Sequence, residues 1–148
     1  MYFTKESIKE TIMSTQKYTG SCHCKKIEYE ASLDLSKGSS RCNCSFCSKV
    51  RNWSTIIAPI AFQYLSGEIE LSHYKFRPDS PFKHFFCKTC GVRILSQGHS
   101  KELGGDFISL SLPTLDHVEP NTFEQIPIQF MDGLYNQWQA SPKVTKYL

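Results

Sequence analysis

From Tyr18 onward, apolar and polar positions alternate with a period of two. The run Lys26-Ile27-Glu28-Tyr29-Glu30-Ala31 does so, as do residues 69–76 and 107–112. This period marks strands that bury one face. Residues 53–58, 82–86, 92–96 and 126–130 are shorter runs rich in branched and aromatic side chains, which favour strands too. Turn residues punctuate them at Lys37-Gly38-Ser39-Ser40, Ser66-Gly67-Glu68, Arg77-Pro78-Asp79-Ser80-Pro81, Gly104-Gly105-Asp106 and Asp132-Gly133. Many short strands with frequent turns predict a mainly β, antiparallel domain over residues 18–148. Residues 1–17 break the pattern: they are polar, lack cysteine and predict a short helical or disordered appendage, with Thr4 as its N-cap.

The chain has 148 residues, a length that predicts one domain with a real core. No apolar stretch approaches the length a bilayer requires. Lys5, Glu6, Lys9 and Glu10 interrupt the apolar run that a signal peptide would need, so a cytoplasmic location is expected. The formal net charge of +3 counts every cysteine as a neutral thiol. Thiolates on metal would bring the protein near neutrality. The lysines and arginines are dispersed and there is no basic tail, so nucleic-acid binding is not expected. The oligomeric state is not legible.

The chemistry is concentrated in the cysteines. All seven fall into three clusters: Cys22-His23-Cys24, Cys42-Asn43-Cys44-Ser45-Phe46-Cys47 and Cys87-Lys88-Thr89-Cys90. An odd count at close spacing argues against a disulfide framework. Structural zinc takes four ligands, whereas catalytic zinc takes three and keeps one position open. Seven sulfurs are four plus three, so two Zn²⁺ per chain are expected. In the third cluster, a two-residue spacer lets Cys87 and Cys90 converge, and Gly91 can adopt the positive φ that turns N–H groups toward sulfur. Spacing alone leaves two partitions open. Cys44/Cys47 with Cys87/Cys90 would form a zinc ribbon. Cys22/Cys24 with Cys87/Cys90 would instead leave Cys42, Cys44 and Cys47 as an open triplet. His23 and His84 are better read as surface or packing residues, because the sulfurs suffice.

Gly20-Ser21-Cys22-His23-Cys24, the central triplet and Phe86-Cys87-Lys88-Thr89-Cys90-Gly91-Val92 together resemble the three signatures of the glutathione-dependent formaldehyde-activating enzyme (GFA) family, which includes centromere protein V. The resemblance runs from about Tyr18 to Trp138. It includes Phe62-Gln63-Tyr64-Leu65-Ser66-Gly67 and Asp132-Gly133. It implies a zinc-pinned β-tent. It also implies a structural Zn²⁺ on Cys22, Cys24, Cys87 and Cys90, and a catalytic Zn²⁺ on Cys42, Cys44 and Cys47. The implied activity is that of a carbon–sulfur lyase, S-(hydroxymethyl)glutathione synthase, which joins glutathione and formaldehyde. The chain departs from the family pattern at Lys25-Lys26, at Arg93-Ile94-Leu95 and at Leu112-Pro113-Thr114-Leu115-Asp116, none of which is an expected ligand.

Lys49, Arg51 and Trp53 follow the triplet closely. Lys49 and Arg51 are candidates to pair with the carboxylates of a thiol substrate. Trp53 is a candidate pocket wall, although an aromatic at a strand start is more often core. A non-catalytic thiol- or zinc-binding protein, or an interaction module, are the alternatives to an enzyme.

Overall fold

A computed structural model describes residues 14–148, so the helix expected after Thr4 lies outside the described residues. The elements run β1 (Gln16–Ser21), β2 (Glu28–Leu33), β3 (Ser39–Cys42), α1 (Ser45–Val50), β4 (Ser54–Ile57), β5 (Phe62–Ser66), β6 (Leu71–Tyr74), β7 (Lys83–Cys87), β8 (Arg93–Ser100), β9 (Gly105–Ser111), α2 (Pro120–Gln125) and β10 (Ile128–Met131). The fold is mainly β, as the alternation predicts, and its sheets are not closed. Each of the seven expected strand regions holds a strand. β1, β3 and β5 and both helices are additions to that expectation. β1 starts at Gln16, two residues before the expected domain boundary at residue 18.

The chain divides into two compact units. One comprises residues 15–33 and 56–118. In it, β1, β2 and β5 form an antiparallel three-stranded sheet, with Ser21 opposite Glu28 at the β1–β2 turn. Tyr29, Ala31 and Leu33 point inward from β2 while the residues between them face outward, which is the period-two pattern realised. β6, β7, β8 and β9 form a second antiparallel array. Ile94, Leu95, Ile108, Leu110 and Leu112 are buried there. Burial of about 1.5–3 kcal/mol per large apolar side chain makes this set the main source of the unit's stability. Tyr29 is fully enclosed, and its hydroxyl is satisfied by Thr114 at 2.7 Å.

The other unit includes residues 34–55 and 119–148. Here β10 pairs with β3 in parallel, against the antiparallel expectation. A parallel pair needs a long connection, which the intervening chain supplies. Ser40 on β3 pairs with Ser54 at the start of β4. Trp53 proves to be a packing residue: its Nε1–H donates to Ser39 Oγ at 2.7 Å, its ring lies against Phe123, and Arg41 covers it at 5.1 Å. The sheet therefore holds Trp53 in place, and the ring is not a surface wall awaiting a ligand.

Candidate metal centres

The seven sulfurs gather into two groups, and each group lies within one unit. Cys22, Cys24, Cys87 and Cys90 offer four sulfurs that all lie within 4.8 Å of one another. Cys42, Cys44 and Cys47 offer three under the same limit. Tetrahedral Zn–S bonds of about 2.3 Å place sulfurs about 3.8 Å apart. The Sγ atoms of Cys22 and Cys24 are 3.6 Å apart, and those of Cys24 and Cys87 are 3.7 Å apart, so the first group fits a tetrahedral ion.

Local backbone geometry explains the four-sulfur group. Cys22 and Cys24 occupy the turn between β1 and β2, where the chain bends sharply enough for a one-residue spacer to chelate. The N–H of Ile27 donates to Cys22 Sγ at 3.3 Å. The second pair lies in the β7–β8 turn, where Gly91 takes φ +77° and its N–H bonds the Cys87 carbonyl at 2.7 Å. At Cys90, desolvation raises the thiol pKa. The N–H groups of Cys24 and Val92 and the neighbouring thiols outweigh it and bring Cys90 down to about 6. Donors that favour the thiolate also favour a metal. A third turn ties the pairs together. A Cβ on Gly67 would sit 1.9 Å from the Lys26 carbonyl oxygen, and Glu70 accepts the Lys88 N–H at 2.9 Å. The turn that follows β5, from Gly67 to Glu70, thus braces both cysteine pairs.

Two of the chain's departures from the family pattern meet here. Lys25 takes the position after Cys24 with φ +65°, a left-handed conformation usually left to glycine. Its Nζ reaches Ser21 Oγ at 2.9 Å and Asp116 Oδ1 at 3.1 Å. The side chain that glycine would lack is anchored by the Asp116 end of the other departure.

The three-sulfur group is organised by a helix start. Cys42 ends β3, and its Sγ accepts the Cys44 N–H at 3.3 Å. Cys44 is the N-cap of α1, and its Sγ accepts the Cys47 N–H at 3.4 Å, so sulfur does the work an Asp or Ser oxygen does in most caps. The three thiols share protons unequally. Hydrogen bonds from Cys42 and then Cys47 pull Cys44 down to about 2. Its thiolate in turn raises Cys42, and the Cys42 and Cys44 side chains raise Cys47. Cys42 is buried, while Cys44 and Cys47 are half-buried, so the site is reached from the helix side.

Sequence reasoning named Asp132-Gly133 only as a resemblance and left Asn43 without a role. The structure assigns both to the triplet. Asn43 is buried between two of the cysteines. Its Nδ2 donates to Asp132 Oδ1 at 2.7 Å, and its Oδ1 accepts the Leu134 N–H at 2.9 Å. A Cβ on Gly133 would lie 2.6 Å from Cys42 Sγ and 2.6 Å from the Trp138 ring. The chain after β10 is thus latched against the back of the ligand loop. Lys49 is exposed in the last turn of α1. Arg51, the left-handed C-cap of α1, directs its guanidinium to the Tyr147 carbonyl. His84 bonds Ser96 Oγ at 2.6 Å, and neither it nor His23 belongs to a sulfur group.

Comparison with known proteins agrees with this geometry. The family model described as glutathione-dependent formaldehyde-activating enzyme matches residues 17–131. A crystal structure of a Rhodobacter sphaeroides protein superposes with a TM-score of 0.62 at 26% identity, covering 75% of this chain and 99% of that one. No curated protein matches. The match over most of its length places the chain in the glutathione-dependent formaldehyde-activating enzyme family.

Proposed function

We propose that this member of the family is a zinc-dependent carbon–sulfur lyase acting on a thiol–aldehyde adduct, with glutathione and formaldehyde as the model pair. The reading assigns residues 18–148 to the family's domain and residues 1–17 to an appendage. Cys22, Cys24, Cys87 and Cys90 would hold a structural Zn²⁺, and Cys42, Cys44 and Cys47 a second one. The observation that carries the reading is the three-sulfur group, whose Cys42 and Cys44 sulfurs are oriented by backbone N–H donors and which presents one ligand too few to close a tetrahedral site. A bound dication there supplies positive charge that favours the thiolate form of an incoming thiol.

The chain's own residues then account for the rest. Asn43, held by Asp132 and the Leu134 N–H, keeps the ligand loop from shifting when a thiol arrives. The exposed Lys49 is a contact for a substrate carboxylate, and Arg51 shares that role through the donors not used on Tyr147. In the forward direction the thiolate sulfur attacks the aldehyde carbon and the carbonyl oxygen takes up a proton. Formaldehyde adds to thiols unaided, so the rate above background is the decisive quantity.

The test is exchange NMR of glutathione with ¹³C-formaldehyde, with and without the zinc-loaded protein. Acceleration that disappears in Cys44→Ser is expected. Glutathione binding without any acceleration would overturn the lyase and leave a thiol-binding protein.

A further inference from the structure

A cavity of about 350 Å³, lined by no cysteine, lies within the unit of residues 15–33 and 56–118. Its volume is in the range of small-molecule sites. Strand pairing builds its polar wall. Lys83 on β7 stands opposite Gln97 on β8. His99, two residues further along the same face of β8, stands opposite Asp106 on β9. All four side chains line the cavity, and Pro59, Pro81 and the buried Ile108 give it an apolar side. Lys83 begins β7 and Cys87 ends it, so the cavity is about 13 Å along the strand from the turn that carries Cys87 and Cys90.

We propose that this cavity is a separate binding site for a small monocarboxylate with an apolar body, and that Lys83 is the cation that holds the carboxylate. The site is independent of the metal centres and of the activity proposed above. Three observations support it. First, His99 is already oriented. Its Nδ1 lies 2.7 Å from Asp106 Oδ1, and a carboxylate only accepts, so Nδ1 carries a proton and Nε2 is left for a ligand. Second, the remaining donors are unused by the fold. Among the described residues, Lys83 forms no ion pair and the Gln97 side-chain amide no hydrogen bond. An ammonium and an amide NH₂ on facing strands match the two oxygens of one carboxylate. Third, Asp106 sets the charge that the site accepts. Its carboxylate on the same wall opposes a second negative charge, so a monoanion is favoured over a phosphate dianion. Pro59, Pro81 and Ile108 then offer their apolar surface to a ring or a short alkyl chain.

The experiment is a ¹H–¹⁵N NMR titration of full-length, zinc-loaded protein with three probes: benzoate, its uncharged analogue benzamide, and phenyl phosphate, a dianion at about pH 7.5. Wild type is compared with Lys83→Met and Lys146→Met. Both lysines are exposed, so neither change threatens folding. Benzoate is expected to move the Gln97 side-chain signal and the Gly98 and His99 N–H signals saturably. It should bind about tenfold more tightly than benzamide, the effect of one charge-assisted contact. Phenyl phosphate should bind no more tightly than benzoate. Lys83→Met should lose the tenfold preference, and Lys146→Met, which does not line the cavity, should keep it. Equal affinity for benzoate and benzamide, tighter binding of phenyl phosphate, or equal losses in both variants would overturn the proposal. Shifts confined to residues 42–47 would overturn it too, since they would report benzoate on a metal at the triplet, as would the absence of saturable shifts. None of these results bears on thiol binding at the triplet, so the two readings fail separately.

Discussion

Gly133→Ala is the smallest change that should disable the triplet without touching a cysteine. The added methyl would stand 2.6 Å from Cys42 Sγ and 2.6 Å from the Trp138 ring. Non-bonded heavy atoms settle at about 3.5–4.0 Å, so roughly 1 Å must be found on each side. The two sides differ in what they can give. Trp138 is 47% exposed and can swing outward, whereas Cys42 is 2% exposed and ends a paired strand. Metal sites tolerate about 0.2 Å of ligand displacement, so a shift of even half the required distance at Cys42 breaks the geometry. Overpacking of this kind costs about 1–3 kcal/mol. Gly133 is not at positive φ, so the whole effect is steric. The expected result is a folded protein that keeps one zinc per chain and binds the second at least tenfold more weakly, read by metal analysis and competitive chelator titration. Adding Trp138→Ala should not rescue it, because the clash with Cys42 remains. Two zinc ions bound with wild-type affinity in Gly133→Ala would refute the latch.

Removal of any one member of a closed tetrathiolate should unfold its unit, since structural zinc contributes on the order of 10 kcal/mol to folding; Cys22→Ser and Cys87→Ser are therefore expected to lose the thermal transition, while Cys44→Ser and Cys47→Ser keep it, and like behaviour of both pairs would reject the four-plus-three division. Metal uptake at the triplet should strengthen with pH. Cys44 is already a thiolate at neutral pH whereas Cys42 and Cys47 are raised and protonated, so a dication must displace two protons and its apparent affinity should rise about a hundredfold per pH unit until the raised thiols titrate. A slope near zero in a pH series of chelator competitions would contradict that proton count. Lys25→Gly should change stability by less than about 1 kcal/mol, because relief of the left-handed strain, about 1 kcal/mol, is set against an exposed pair to Asp116 worth at most about as much. Thermal melts of Lys25→Gly and Asp116→Ala distinguish the two contributions, since only the second also removes the acceptor of the Ser21 hydroxyl.

The strands legible in the sequence were those whose alternation survives as one buried face, such as β2 with Tyr29, Ala31 and Leu33 inward. β3 carries Ser39, Ser40, Arg41 and Cys42, which have no apolar alternation at all. Its pairing with β10, and the bonds from Ser39 to the Pro127 carbonyl, come from chain segments far apart in sequence. The helix α1 hides for another reason: its six residues bury nothing, and its cap is a cysteine sulfur, which no list of capping residues would flag. At the sites, sulfur spacing flagged the candidate ligands but left their partition open, because the grouping of Cys22 and Cys24 with Cys87 and Cys90 joins distant segments. The residues that hold those ligands in place act across long separations, as Asn43 does with Asp132 and Gly67 with Lys26, and leave no local signature.

That contrast separates the two centres physically. The four-sulfur group is assembled from two turns and braced by a third, so its ligands come from distant parts of one unit and must be brought together by folding. The triplet spans six residues, and its chelate exists once α1 has started. A site built locally adds little to folding, because few chain contacts depend on its metal. It can therefore lose or exchange a ligand at small cost to the fold. On the proposed reading, sequence separation supports the division of labour: a metal on the long-range group would serve stability, and one on the short-range group would serve chemistry at an open coordination position.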